Sequence, residues 1–201
     1  MNYLSSSLLI SQAKYWIENK KFEEFQNVFS CKNPQDIVSE LFFLIANLYS
    51  SQDNYEQSNF YLNISYDLNH KFYLNLSLLA ENHYINEDYS NTKKVLSFFD
   101  KKDKFYYWFK LKKEAQIISK QENANASLNF INSKFKNIKD PSTKIIFDIA
   151  NFNKNAKKFK EAIYYYDQIL TLVLLFILKF CIEEVVAMKE WATIKIQTMI
   201  Y

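Results

Sequence analysis

Glycine is missing from all 201 residues, arginine is missing as well, and proline, cysteine and histidine occur only twice each. Each absence removes a class of protein. Glycine is the residue that enters positive φ without penalty, so hairpin-rich sandwiches and barrels lose ground to paired helices. Without it there is also no phosphate-cradling loop and no dinucleotide fingerprint, and no metalloprotease or paired-cysteine metal spacing is present. The chain is therefore read as non-enzymatic, with no cofactor and no bound metal. The lack of arginine removes the bidentate partner for phosphate and guanine, and the net charge of +3 is spread along the chain. Nucleic acid is disfavoured as a partner on both grounds. Cys31 and Cys181 stand far apart and unaccompanied, which gives neither a disulfide framework nor a ligand set. His70 and His83 have no ligand-spaced companions either, so packing roles are expected of them.

Long apolar runs are also scarce. The longest, Leu172 to Leu178, is broken at Lys179 and falls short of the roughly 20 residues that a membrane span needs. The first residues, Met1 to Leu8, show no basic segment followed by a long apolar one, so no export signal is read. The cytoplasm is the default compartment, and the periplasm applies if an N-terminal piece is absent. What the chain does have is 49% hydrophobic and 18% aromatic residues, enough for a sizeable core. An AT-rich genome accounts for much of the bias towards Lys, Asn, Ile, Phe and Tyr.

A period organises the chain. Ala13, Ala46, Ala80, Ala115 and Ala150 step by 33, 34, 35 and 35 residues. Around each, similar residues recur: Trp16, Phe22, Phe25 and Phe29; Tyr49, Tyr55, Ser58, Leu62 and Ser65; His83, Tyr89, Thr92 and Leu96; Ile118, Ala124, Ser127 and Ile131; Asn153, Phe159, Ala162, Tyr166 and Ile169. A period of this length marks helix pairs, none of which buries its apolar face alone. Asn33-Pro34 and Asp140-Pro141 each set a capping side chain before a proline suited to a first helical turn, where a new pair should begin.

This pattern resembles the tetratricopeptide repeat, over roughly residues 5–170. The best-matching stretch is Phe159-Lys160-Glu161-Ala162-Ile163-Tyr164-Tyr165-Tyr166. Departures are the alanines where the family often has glycine, Phe25 and Thr92 at the second small position, and Asn153 and His83 at an aromatic one. The resemblance implies an all-α, right-handed α-solenoid of about five helix hairpins (6–34, 39–71, 73–105, 108–141 and 143–170) plus a C-terminal helix, with residues 1–170 as the repeat array and 171–201 as a tail. It implies that the small residues let paired helices approach closely. It also implies a concave face for a protein or peptide partner, selecting Phe43, Asn47, Ser77, Glu81, Tyr84, Phe109, Lys112, Gln116, Phe147, Asn151 and Lys154. Aromatic anchors mixed with amides and lysines suit an extended peptide or a helix. The family's carboxylate clamp is not filled: Asn47 matches one position, while Phe43, Leu78 and Lys113 do not supply the others. Two further readings are a recruiting or regulatory segment of a larger enzyme or envelope assembly, and an RNA-binding helical array, which the missing arginine disfavours.

After residue 170 the repeat stops, although another small residue is due near 185. Reading each codon from the third base of one residue's codon into the first two of the next permits it to continue with suitable synonymous codons. Phe180 with Cys181 then gives Leu, Met188 with Lys189 gives Glu, Trp191 with Ala192 gives Gly and Met199 with Ile200 gives Asp, whatever the synonymous codons. The remaining frame meets a stop at Met188-Lys189. Residues 171–201 are thus expected to follow a frameshift, the chain being a piece of a longer repeat protein; the alternative is a capping helix using Ile182, Val185, Val186, Trp191 and Ile194. The nucleotide sequence should show an open shifted frame with Gly across Glu184 and Val185, and stop codons in that frame would end the idea.

Overall fold

The structure is a computed structural model that describes residues 3–101, 104–175 and 177–178. These are helical throughout, with no strand among the described residues. The helices are α1 (Tyr3–Glu18), α2 (Glu23–Val28), α3 (Pro34–Ser50), α4 (Tyr55–Leu68), α5 (Leu74–Ile85), α6 (Tyr89–Leu96), α7 (Lys104–Gln121), α8 (Ala124–Phe135) and α9 (Thr143–Asn155). A further helix, α10, covers 159–175. Of the tail, 176 and 179–201 lie outside the described residues, so the shifted-frame reading falls almost wholly outside them; α10 passes residue 170 without a break. No helix among the described residues is long and apolar enough to cross a membrane.

The turns explain how helix pairs form without glycine. Lys20, Asp53, Glu87 and Lys157 all have φ between 56° and 60°. Each stands seven residues after an anchor alanine. At the second turn the Asp53 N–H donates to Ser50 O and the Asn54 N–H to Tyr49 O; the same two bonds recur at Glu87 and Asp88 and at Lys157 and Lys158. This is the Schellman arrangement, which satisfies the last free carbonyls of the first helix. The residue after the left-handed one can then cap the next helix: Asn54 accepts from the Gln57 N–H, and Asp88 from the Asn91 N–H. The α7–α8 junction is different. Asn123 caps α8 by accepting from the Ala126 N–H, with no left-handed residue before it.

Asn33 caps α3 as expected, accepting from the Gln35 N–H, with Pro34 in the first turn. Asp140 does not cap α9. It sits at φ 50°, outside the extended region a cap occupies, and Ser142 accepts from the Ile145 N–H instead. The Asp140-Pro141 expectation is thereby corrected by two residues.

The chain divides into two compact units, Met1–Gln121 and Glu122–Tyr201. In the first, α4 packs on α3 and α5, α6 on α5 and α7, and α3 and α7 each on α5. Ala46, Ala80 and Ala115 are fully buried, as are Ser58 and Thr92. Ser39 and Ser65 bond reciprocally between α3 and α4, each hydroxyl donating to the other residue's carbonyl. Asn82 ties three helices together. Its Oδ1 accepts from Ser50 Oγ at 2.7 Å, and its Nδ2 donates to Ser58 Oγ and Asn59 Oδ1, both at 2.8 Å. In the second unit Ile131, Ile149 and Ala150 are fully buried, Ala162 nearly so, and α8 packs on α9.

The first pair is placed differently from its neighbours. Helix α1 packs on α2, α5 and α7. Ala13 and Phe25 are only half-buried, and α2 buries no residue. On α3 the row Ile37, Leu41, Leu44 and Leu48, spaced 4-3-4 along one helical stripe, is left 47–63% exposed.

Two buried amides on α5 should respond oppositely to substitution. Asn82→Ala strands Ser50, Ser58 and Asn59, at about 1–3 kcal/mol for each buried group left unpaired. Asn75 is fully buried with neither side-chain polar atom bonded, so Asn75→Leu should raise stability by roughly 1–3 kcal/mol. Urea midpoints at unchanged m-value read both; shifts of the same sign would refute the assignment.

Candidate functional site

The eleven residues selected for a binding face fall in three environments. Phe43, Ser77 and Phe109 are buried, at 6%, 3% and 6% exposure. Phe43 meets Phe72 edge-on at 5.4 Å, and Phe109 meets Phe99 at 5.8 Å. Ser77 Oγ donates to the Leu74 carbonyl one turn earlier. These three belong to the packed interior. Asn47, Glu81, Tyr84, Lys112 and Gln116 are half-buried. In the second unit Phe147 and Lys154 are exposed and Asn151 is half-buried. There Tyr166 reaches back to α9, its hydroxyl donating to Asn151 Oδ1 at 2.8 Å and its ring 5.8 Å from that of Phe147.

One charged cluster is built between α5 and α7. Lys113 Nζ lies 2.6 Å from Glu81 Oε2, with side-chain exposures of 4% and 14%. The same ammonium sits 4.2 Å from the centre of the Tyr84 ring and 6.0 Å from that of Phe109. Cation–π attraction of this kind strengthens as water is removed. Burial drives the Lys113 pKa below the ordinary lysine value, and the Glu81 carboxylate pulls it part of the way back. Burial, chiefly, also raises the Tyr84 pKa, helped by Tyr89 and Glu81. Three residues further along α7, the Gln116 Oε1 is buried without a hydrogen-bond partner. A free acceptor of that sort suits a peptide N–H.

Lys113 is the member that the sequence reading left out, having selected Lys112. Helix α7 buries Tyr106, Trp108, Phe109, Leu111, Lys113, Ala115 and Ile117, a set too wide for one stripe. It is covered by α1, α5 and α6. The signal that could have found Lys113 is its partner, Glu81, since a buried lysine needs a carboxylate.

Beneath α1 lies a cleft of about 600 Å³ bounded by Gln12, Tyr15, Trp16, Lys71, Tyr73 and Phe105, among others. Tyr15 and Phe105 meet edge-on across it at 5.7 Å. His83 Nδ1 lies 3.3 Å from Asp88 Oδ2, and the His70 ring lies 4.7 Å from that of Tyr66, tilted by 51°. Among the described residues no three His, Cys, Asp or Glu side chains converge on a metal-sized site.

The ion pair yields a directional expectation. Lys113→Met leaves Glu81 charged and enclosed, and breaking such a pair costs about 3–5 kcal/mol. Adding Glu81→Leu should restore most of that loss or exceed it, because two apolar residues replace both charges. Urea melts of the single and double variants check this, and a double variant no better than the single would refute it. Compared with family models, with curated proteins and with solved structures, the chain has no match.

Proposed function

We propose that the chain is a non-enzymatic interaction scaffold of tetratricopeptide type, binding a peptide or helix along the first helices of its pairs. The observation that carries this reading is the burial of the period itself. Ala46, Ala80, Ala115 and Ala150 are all at 0% exposure. A stretch of chain that spends its most regular positions on close helix contacts keeps the remaining faces for neighbours or partners. The faces left over carry aromatic rings, amides and lysines in mixture: Tyr84, Asn47, Gln116, Lys112, Phe147 and Lys154. Rings supply contact area at small entropic cost, and amides pair with a partner's backbone.

Phe43 and Phe109 are too deeply buried to test a surface, so substitutions there would report on folding. Tyr84, Phe147 and Lys154 are the useful positions. The wild-type chain should retain a discrete set of protein partners in affinity capture, and Tyr84→Ala together with Phe147→Ala should weaken each by at least ~10-fold, about 1.4 kcal/mol. Partners captured equally by wild type and variant would overturn the choice of face. Retention of RNA in place of protein, with a steep loss on adding salt, would overturn the protein-scaffold reading.

A further inference from the structure

We propose that α1 is a built-in ligand for this chain's own binding face, one that an amphipathic partner helix must displace; this deepens the scaffold reading and rests on it. The first observation is the enclosure of α5. Every residue from Leu74 to Ala80 is buried, whereas a helix in a two-layer array keeps one face in water. Five helices surround it: α1, α3, α4, α6 and α7. Four of these belong to the pairs of residues 34–121, and α1 supplies the additional cover.

The second observation compares equivalent positions. Phe43, Ser77 and Phe147 each stand three residues before an anchor alanine. In the first unit the two are 6% and 3% exposed, while Phe147 is 50% exposed. The first unit contains a helix laid over α5 and α7; Ser77 on α5 is closed, while Lys112, three residues before Ala115 on α7, is half-buried.

The third is the chemistry of α1. Leu8, Gln12 and Trp16, at i, i+4 and i+8, form its buried face, which is how an amphipathic helix reads a groove. Leu8 belongs to the same apolar cluster as Phe43 and Phe109. Its hold is incomplete. Ile10 and Ile17 point outward at 66% and 56% exposure, and the cleft of about 600 Å³ runs along its second half. The cleft opens to solvent and leaves that half of the helix uncovered on one side. A partner helix with a large apolar residue and an aromatic two turns apart would make the same contacts and could fill more of the gap.

A binding face occupied by its own chain shows a weakened apparent affinity in proportion to the fraction that is open. The test uses the full chain and a fluorescein-labelled synthetic peptide of residues 3–18, read by anisotropy. Leu8→Asp with Trp16→Asp loosens the resident helix without touching the face beneath. That variant should bind the peptide at least ~10-fold more tightly than wild type does, and Tyr84→Ala in the same background should reverse the gain. Equal binding to wild type and variant, or no binding to a variant that remains helical and melts cooperatively, overturns the proposal. Hydrogen exchange of the wild type gives a second measurement should the variant unfold. Amides of α1 should exchange well before those of α5, and exchange of α1 only on global unfolding overturns it. Partner capture unaffected by the α1 substitutions would sink the self-ligand and leave the scaffold standing. Peptide binding without any captured partner would do the reverse.

Discussion

The whole arrangement depends on close approach between helices in a chain that has no glycine to permit it. Two substitutes do the work. Alanine and serine at a fixed period give fully buried small surfaces at Ala46, Ser58, Ala80, Ala115 and Ala150. The left-handed turn residue, ordinarily glycine, is supplied by Lys20, Asp53, Glu87 and Lys157. Each such residue with a side chain costs about 1–2 kcal/mol against the right-handed alternative. The turn offsets that cost by capping both sides, with carbonyls of the outgoing helix satisfied and, at Asn54 and Asp88, the N-terminus of the incoming one. The angle between paired helices is thus fixed by hydrogen bonds within the turn as well as by packing beyond it. The α7–α8 junction, which lacks the left-handed residue found at the α1–α2, α3–α4 and α5–α6 turns, is where the chain divides into its two units.

Polar residues then add specificity to a contact that small side chains alone leave indifferent to register. Ser39 with Ser65, and Asn82 with Ser50, Ser58 and Asn59, are satisfied networks inside an apolar setting. A shift of one helical position along α3 would break the Ser39–Ser65 pair and the Ser50–Asn82 bond together, and the cost of unpaired buried groups would oppose it. Asn75, on α5 with Asn82, is the exception, buried and unbonded. The structure offers no compensating contact for it.

Much of this was legible in the residues. The all-helical class, the burial of Ala46, Ala80, Ala115 and Ala150 and the cap at Asn33 follow from small-residue spacing and turn chemistry, which act locally. The cap at Ser142 in place of Asp140 was not, because Asp and Ser are both good caps and the choice falls to the backbone of the intervening proline turn. The left-handed lysines and glutamate carried no mark, since nothing in a lysine announces positive φ. Lys113 was missed for a tertiary reason: three helices cover α7, so its buried positions no longer trace one stripe. For the same reason the binding-face set divides, with Ser77 and Phe109 in the interior on helices that α1 covers and Phe147 and Lys154 in water. A repeat position specifies which way a side chain points relative to its own pair. It does not specify whether another segment will lie on top.

That other segment is α1, and its placement is a competition between two apolar surfaces for one helix. Stacked as a first repeat, it would lie along α3 and cover Ile37, Leu41, Leu44 and Leu48, the row now left in water. Laid over α5 and α7, it buries Leu8 and Trp16 instead. Burying a large apolar side chain is worth roughly 1.5–3 kcal/mol, so either seat is favourable by itself. What decides between them is the difference, and a difference of two similar burials is small compared with either. The same holds for any third helix that competes for the α5–α7 face, since a ligand shifts such an equilibrium only by its differential affinity for the two arrangements. Strong packing throughout the rest of the first unit is therefore compatible with a first helix held by a narrow margin, because the margin is set by what else could cover the same surface and not by the strength of the cover itself.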